Sequence, residues 1–198
     1  MIVFGITGGS GSGKTSVSKM LEKLGVHIID TDVIAHEIVE PNSDCLNELV
    51  DYFGDSILND DKTLNRKKLA SIAFSDKLKT EALSNITHKY IKAEVVKDIN
   101  TTDAELVGID GAVIIGSNVE PLCEFIVSVI ADKQSRITRI KTRDNITDKQ
   151  AIQRINAQND DEFYKENSMY IIYNNGDIAQ LESDVVGLFN KIKGNSFE

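Results

Sequence analysis

Residues 8–15 read GGSGSGKT, and no other stretch constrains this chain as tightly. The spacing Gly8-x-x-x-x-Gly13-Lys14-Thr15 is that of a phosphate-binding loop. Average residue usage would produce it by chance in about one per cent of chains this long. Its setting adds weight. The apolar IVFGIT of residues 2–7 reads as a buried strand, and Val17, Met20, Leu21 and Leu24 mark one face of a helix that Gly25 can end. A loop without Cβ atoms can turn successive N–H groups inward around an anion, and the helix N-terminus adds partial positive charge. Gly8, Gly9, Gly11, Ser12, Gly13, Lys14, Thr15 and Ser16 are the expected nucleotide-binding residues. Lys14 suits the terminal phosphates, and the Thr15 hydroxyl suits Mg²⁺. The plain alternative is a tight strand-to-helix turn. A dinucleotide fingerprint is excluded by register, since Gly9-x-Gly11 would need glycine where Lys14 stands.

The remaining apolar runs set the fold class. VHIID (26–30), ELVGID (105–110), EFIVSVIA (124–131) and MYIIYN (169–174) read as four more buried strands. Helical patterns separate them, so the expectation is α/β: a P-loop kinase with a five-stranded parallel sheet. We read residues 1–198 as one domain with two helical insertions. The first covers about 33–104, with helical periods in VIAHEIV, CLNELVDYF and KKLASIAF, and a long one from Leu78 to about Ile99. Within it, the polar residues 54–65 read as a loop. The second covers about 133–165. A last helix is expected from about Ile178 to Lys193, then a short loose tail, GNSFE.

Composition narrows the function classes. The net charge of −9 argues against a nucleic-acid groove, which selects basic faces, but leaves room for a small anion held by a few cations. Cys45 and Cys123 match no metal-ligand spacing and read as small apolar residues in a reducing compartment. No run is long enough to span a bilayer and no signal peptide is read at Met1, so the expectation is a soluble cytoplasmic protein without a membrane partner. The oligomeric state is left open.

Several polar residues are candidates beside the loop. Asp30 and Asp32 follow the second strand, where open α/β sheets bind ligands. They serve either to orient an attacking hydroxyl or hold Mg²⁺ through water, or simply as turn and capping residues, Asp32 as the N-cap of the insertion. Asp110 ends the third strand, as metal-associated carboxylates of P-loop proteins do; its plain alternative is a strand-end turn. Arg139 and Arg143, four apart, share a helix face and suit a lid over a triphosphate. The alternative is a solvated face paired with Asp144 and Asp148. Gln158 and the NNGD turn (174–177) are weaker signals, and His88 reads as a satisfied or exposed histidine. Arg136 and Arg154 are expected at the surface, and His27 and His36 receive no role.

In order along the chain, GITGGSGSGKTS, VHIIDTDVIAHEIVEP, FG, LNRKKLASIAF, THKYI, the Arg139/Arg143 pair, AQ and NNG resemble the dephospho-CoA kinases. The resemblance implies a nucleotide-kinase-like core with a helical substrate-binding insertion and a helical lid. It implies transfer of the γ-phosphoryl group of ATP, with Mg²⁺, to the ribose 3′-hydroxyl of dephospho-CoA, the last step of coenzyme A synthesis. On it, Asp32 is the base, Arg66 meets the substrate's phosphates and His88 lies with the substrate. Arg139 and Arg143 belong to the lid, Arg143 as an ATP-binding residue, Asn175 and Gly176 border the adenine of ATP, and Thr15 and Asp110 hold the metal. Lys14, Asp32 and Arg139 are the catalytic set. Three positions depart from the family's pattern: Lys89 where proline follows the histidine, Gly116 where a glutamate is usual, and Asn167-Ser168 in place of an Ala-Asp pair. The rivals are a nucleoside or nucleotide kinase of the same fold and a non-catalytic P-loop regulatory protein. The absence of an Asn-Lys-x-Asp signature counts against a GTPase.

Overall fold

The computed structural model describes residues 1–194; the expected tail beyond Gly194 lies outside the described residues. In chain order the elements are β1 Ile2–Thr7, α1 Lys14–Lys23, β2 His27–Asp30, α2 Thr31–Glu37, α3 Asp44–Phe53, α4 Arg66–Ala73 and α5 Lys77–Thr101. Then follow β3 Leu106–Asp110, β4 Phe125–Ile130, α6 Lys133–Asp144, α7 Asp148–Asn156, α8 Asp161–Glu166, β5 Tyr170–Tyr173 and α9 Ile178–Gly194. All five strands read from the sequence form one parallel sheet in the order β2-β3-β1-β4-β5. The chain divides into two compact units, residues 1–29 with 102 onward, and Asp30–Thr101.

In the first unit, the continuous apolar runs follow from burial on both faces. Every residue of β3 and of β4 is buried, as sheets covered by helices require. β1 lies between β3 and β4, with Ile6 opposite Asp110 and Thr7 opposite Ser128. The chain therefore leaves β1 toward one side of the sheet and later crosses to the other, so the end of β1 is a topological switch point, where such sheets bind ligands. Phe4 and Phe125 stack with centroids 5.3 Å apart, and Tyr170 meets Phe125 edge-on at 5.3 Å. Val17 and Leu21 of α1 and Leu181, Val185, Leu188 and Ile192 of α9 pack into the same core. A smaller cluster of Ile137, Ile140, Ala151 and Ile155 joins α6 to α7, and Thr147 and Gln150 close a capping box at the start of α7.

The second unit has its own core of Ile38, Val39, Cys45, Leu49, Ile57, Leu69 and Ile86. The polar stretch 54–65 holds more than a loop: a short 3-10 turn at Asp55–Ile57 and an antiparallel bridge between Leu58 and Leu64. Ile57 is fully buried in that core, and Leu58 and Leu64, the two bridge residues, pack against it partly buried. The cap of α2 also differs from expectation. Asp30, not Asp32, is the N-cap, its Oδ1 accepting from Asp32 N at 2.8 Å and Val33 N at 3.1 Å. Its extended backbone (ψ 105°) suits that role, whereas Asp32 is already inside the first turn. Burial pushes the Cys45 thiol up to about 11 and Cys123 up to about 12, so both stay protonated near neutrality.

The stacked phenyl rings give the sheet a measurable anchor. Phe4 is 0% exposed, so Phe4→Ala is expected to lower unfolding stability by about 3–5 kcal/mol in urea denaturation.

Candidate functional site

The glycine loop runs from the end of β1 to the start of α1. Gly13 is the N-cap of α1 with φ 97° and ψ 20°, a left-handed backbone that excludes most side chains. A Cβ there would also run into the Asn174 side-chain amide. That contact exists because Asn174, buried after β5, donates from Nδ2 to Ser12 O at 2.7 Å.

Three successive loop carbonyls are held by side chains from far along the chain. Ser10 O accepts from Arg136 Nε at 3.0 Å and Gly11 O from Arg139 Nη1 at 3.2 Å. Ser12 O accepts from Arg139 Nη1 at 3.2 Å as well as from Asn174. Arg139 Nη2 in turn donates to Asn174 O at 3.0 Å. With the carbonyls held in this way, the orphan N–H groups of the first turn of α1 remain available to an anion.

Lys14 and Asp110 form an ion pair in which both side chains are largely buried. Ser18 Oγ donates to the other oxygen of Asp110 at 2.7 Å. The ammonium and the carboxylate thereby compensate each other at the base of the loop. The Ser12 hydroxyl is 1% exposed, and it alone among the buried side-chain polar atoms described has no hydrogen-bond partner. A buried hydroxyl without a partner costs about 1–3 kcal/mol, which a phosphate oxygen in the cradle would offset. The loop thus fits a polyphosphate. For a cation, the oxygen-bearing side chains at the base of the loop are the exposed Thr15 hydroxyl at the helix start and the Asp110 carboxylate, the latter engaged by Lys14 and Ser18. Among the described residues no group of three or more His, Cys, Asp or Glu side chains could hold a metal alone. A site of one or two protein oxygens completed by substrate phosphates is the pattern of Mg²⁺.

The other predicted residues divide. Asn175 Oδ1 accepts from Asp132 N at 2.7 Å, which ties the turn after β5, with Gly176, to the start of α6. Arg139 reaches the loop, but Arg143 does not accompany it: Arg143 is exposed and donates to both oxygens of Asp144, at 2.7 and 2.9 Å. Asp148 pairs with Lys141, and Arg154 with Asp144. Arg154 is at the surface as expected; Arg136 is not. It is 5% exposed and packed on the loop, because its position on α6 shares the inward face with Ile137 and Ile140.

In the second unit, Asp32 is exposed in the first turn of α2, its carboxylate near the positive helix end. His36 lies one turn on along α2, and its Nδ1 is 2.9 Å from Arg66 Nη2. His36, which receives no role in the sequence analysis, is thus the side chain next to the arginine expected to meet substrate phosphate. Its spacing of four from Asp32 was the signal available. His88 has Ser84 Oγ 3.5 Å from its Nδ1. Neighbouring Lys89 donates to Glu48 at 2.5 Å, and Tyr90 donates to the same oxygen at 2.7 Å, which together hold the Glu48 carboxyl below its usual range.

Comparison with known proteins places the chain among relatives of one family and fold. The family model for dephospho-CoA kinase matches residues 2–180. A dephospho-CoA kinase of Lactobacillus johnsonii is 35% identical over 191 residues, covering 95% of this chain and 96% of that protein. Among solved structures, the dephospho-CoA kinase from Campylobacter jejuni superposes with a TM-score of 0.69 at 26% identity, covering 98% of each chain. A Thermus thermophilus protein, TT1252, shares the fold with a TM-score of 0.84 at 24% identity, over 96% of this chain and 97% of that one. Among the described residues, no helix is long and apolar enough to cross a membrane.

The close approach of Asn174 makes Gly13 the most sensitive loop position. Gly13→Ala is expected to raise the Kd for ATP, read by calorimetry, by about 10-fold or more through backbone strain and displacement of Asn174.

Proposed function

The chain belongs to the dephospho-CoA kinase family, and from that premise we propose that its own residues divide the phosphoryl transfer between a donor side at the glycine loop and an acceptor side in the α2–α5 unit. The protein is a phosphotransferase that uses ATP. The observation that carries the donor side is the cradle itself, with its carbonyls tied down and the Ser12 hydroxyl buried without a partner. The acceptor, dephospho-CoA, follows from the family.

On the donor side, the loop amides and Lys14 hold the phosphates of ATP. Arg139, fixed against the loop carbonyls, adds positive potential next to the cradle. Thr15 and Asp110 would hold Mg²⁺, which when bound neutralises charge on the β- and γ-phosphates. Lys14 leaves Asp110 for the phosphates, and Ser18 keeps its hydrogen bond to the carboxylate. Asn175 and Gly176 border the adenine. Residues 133–165 act as the lid, and Arg143 exchanges Asp144 for phosphate when it contributes; Arg154 then remains to compensate Asp144.

On the acceptor side, Asp32 orients the ribose 3′-hydroxyl and takes its proton. Its carboxylate is exposed and accepts no hydrogen bond among the described residues, which leaves it available for a substrate hydroxyl. Arg66, oriented by His36, meets the acceptor's phosphates, with His88 in the same unit. Because phosphoryl transfer passes through a loose transition state, positioning of the hydroxyl is as much the task of Asp32 as proton removal.

Mass spectrometry of dephospho-CoA incubated with Mg-ATP and the protein tests the reading: a phosphoryl group added to dephospho-CoA, and not to uridine or AMP, is the expected result. Preference for uridine or AMP would overturn the acceptor assignment, and ATP binding without any product would favour a regulatory role. Asp32→Asn is expected to lower kcat by roughly 10²–10⁴; near-full turnover in a folded variant would remove Asp32 from the chemistry.

A further inference from the structure

We infer that Arg136, acting with Gln158, is the positioning residue that fixes the tip of the phosphate loop and couples it to the α6–α8 segment. The tip is Ser10, and its three polar groups are all held by these two side chains. Arg136 Nε donates to Ser10 O at 3.0 Å. Ser10 N donates to Gln158 Oε1 at 2.7 Å, and Gln158 Nε2 lies 3.3 Å from Ser10 Oγ. Arg136 Nη2 closes the ring by donating to the same Gln158 oxygen at 3.3 Å.

The guanidinium is built in rather than laid on the surface. It is 5% exposed, and a Cβ at Gly9 would collide with it. A buried guanidinium must find acceptors for its N–H groups. It finds Ser10 O, Gln158 Oε1 and, more distantly, Asp161 Oδ1 at 3.6 Å. Arg136 is on α6, Gln158 in the link between α7 and α8, and Asp161 at the start of α8. The two ends of the segment therefore meet at one loop residue.

A loop this rich in glycine loses much backbone freedom when it closes on a ligand. Holding Ser10 by its N–H, its carbonyl and its hydroxyl removes part of that freedom before ATP arrives, which strengthens binding by preorganisation. The effect belongs to ATP affinity. The acceptor and the chemical step are touched only through it.

This inference rests on the reading of the loop as the ATP phosphate site, and the experiment separates the two. Steady-state kinetics are measured on the full chain with ATP varied at saturating dephospho-CoA, alongside calorimetric binding of ATP and thermal unfolding. For Arg136→Met and for Gln158→Leu, the KM and Kd for ATP are expected to rise about 10-fold, as loss of a charge-assisted hydrogen bond implies. Turnover and the KM for dephospho-CoA should stay within about threefold. The double variant should be no worse than the more severe single one, because both act on the same clamp. Arg136→Lys, which keeps one donor for Ser10 O but cannot fork to Gln158, should fall between parent and Arg136→Met.

A parent protein that binds no ATP would overturn the reading of the loop itself. A parent that binds ATP, with folded variants of unchanged ATP affinity and only a lower melting temperature, would overturn the positioning role alone. So would failure of all three single variants to fold, since the contact would then serve folding only.

Discussion

The site depends on one constraint of the peptide group: N–H and C=O point in opposite directions. A loop that turns amides toward an anion turns carbonyls away from it, and those carbonyls need donors of their own. Here Ser10, Gly11 and Ser12 receive them from Arg136, Arg139 and Asn174. The three donors lie more than a hundred residues from the loop in sequence, on α6 and after β5. The parallel sheet brings them there, because β1 sits beside β4 and β4 beside β5. The fold is therefore part of the phosphate site: without that strand order the loop carbonyls would have no partners.

The same arrangement reconciles an acidic protein with an anionic ligand. The chain carries a formal net charge of −9, yet Lys14, Arg136 and Arg139 converge on one loop. Burial makes these few charges count for more than the many exposed carboxylates, which water and salt screen. Lys14 does not stand as an isolated buried cation, since Asp110 pairs with it and Ser18 holds Asp110. Such a pair can exchange partners with little net change in buried charge.

Much of this was legible in the sequence because it is local. The loop, the strands and the long helices follow from spacing and periodicity within windows of a dozen residues. What escaped depends on tertiary placement. Arg136 looked like a surface residue because arginine usually is one; only the neighbouring Ile137 and Ile140 hinted that its face of α6 turns inward. Asp32 is the cap expected from the sequence, yet backbone geometry decides for Asp30, which has the same residue type and an extended backbone. Asn174 read as turn chemistry, yet it holds a loop carbonyl. The spacing of four puts Arg139 and Arg143 on one face of α6, but side-chain partners divide them: loop carbonyls take one and Asp144 the other.

The three departures from the family's usual residues follow the same logic of local compensation. With lysine instead of proline at 89, α5 runs unbroken from Lys77 to Thr101, since no N–H is missing and no ring crowds the preceding turn. The new charge is met by Glu48 at 2.5 Å. Gly116 adopts φ 79°, a conformation that a glutamate would enter only with strain, and its N–H is taken by Glu120 at 2.6 Å. Ser168, where an aspartate is usual, meets the fully buried Ser128 hydroxyl at 2.7 Å, so no uncompensated charge enters beside β4. Each altered residue finds its partner within its own compact unit. None of the three is among the donors that hold the loop carbonyls, which are Arg136, Arg139 and Asn174.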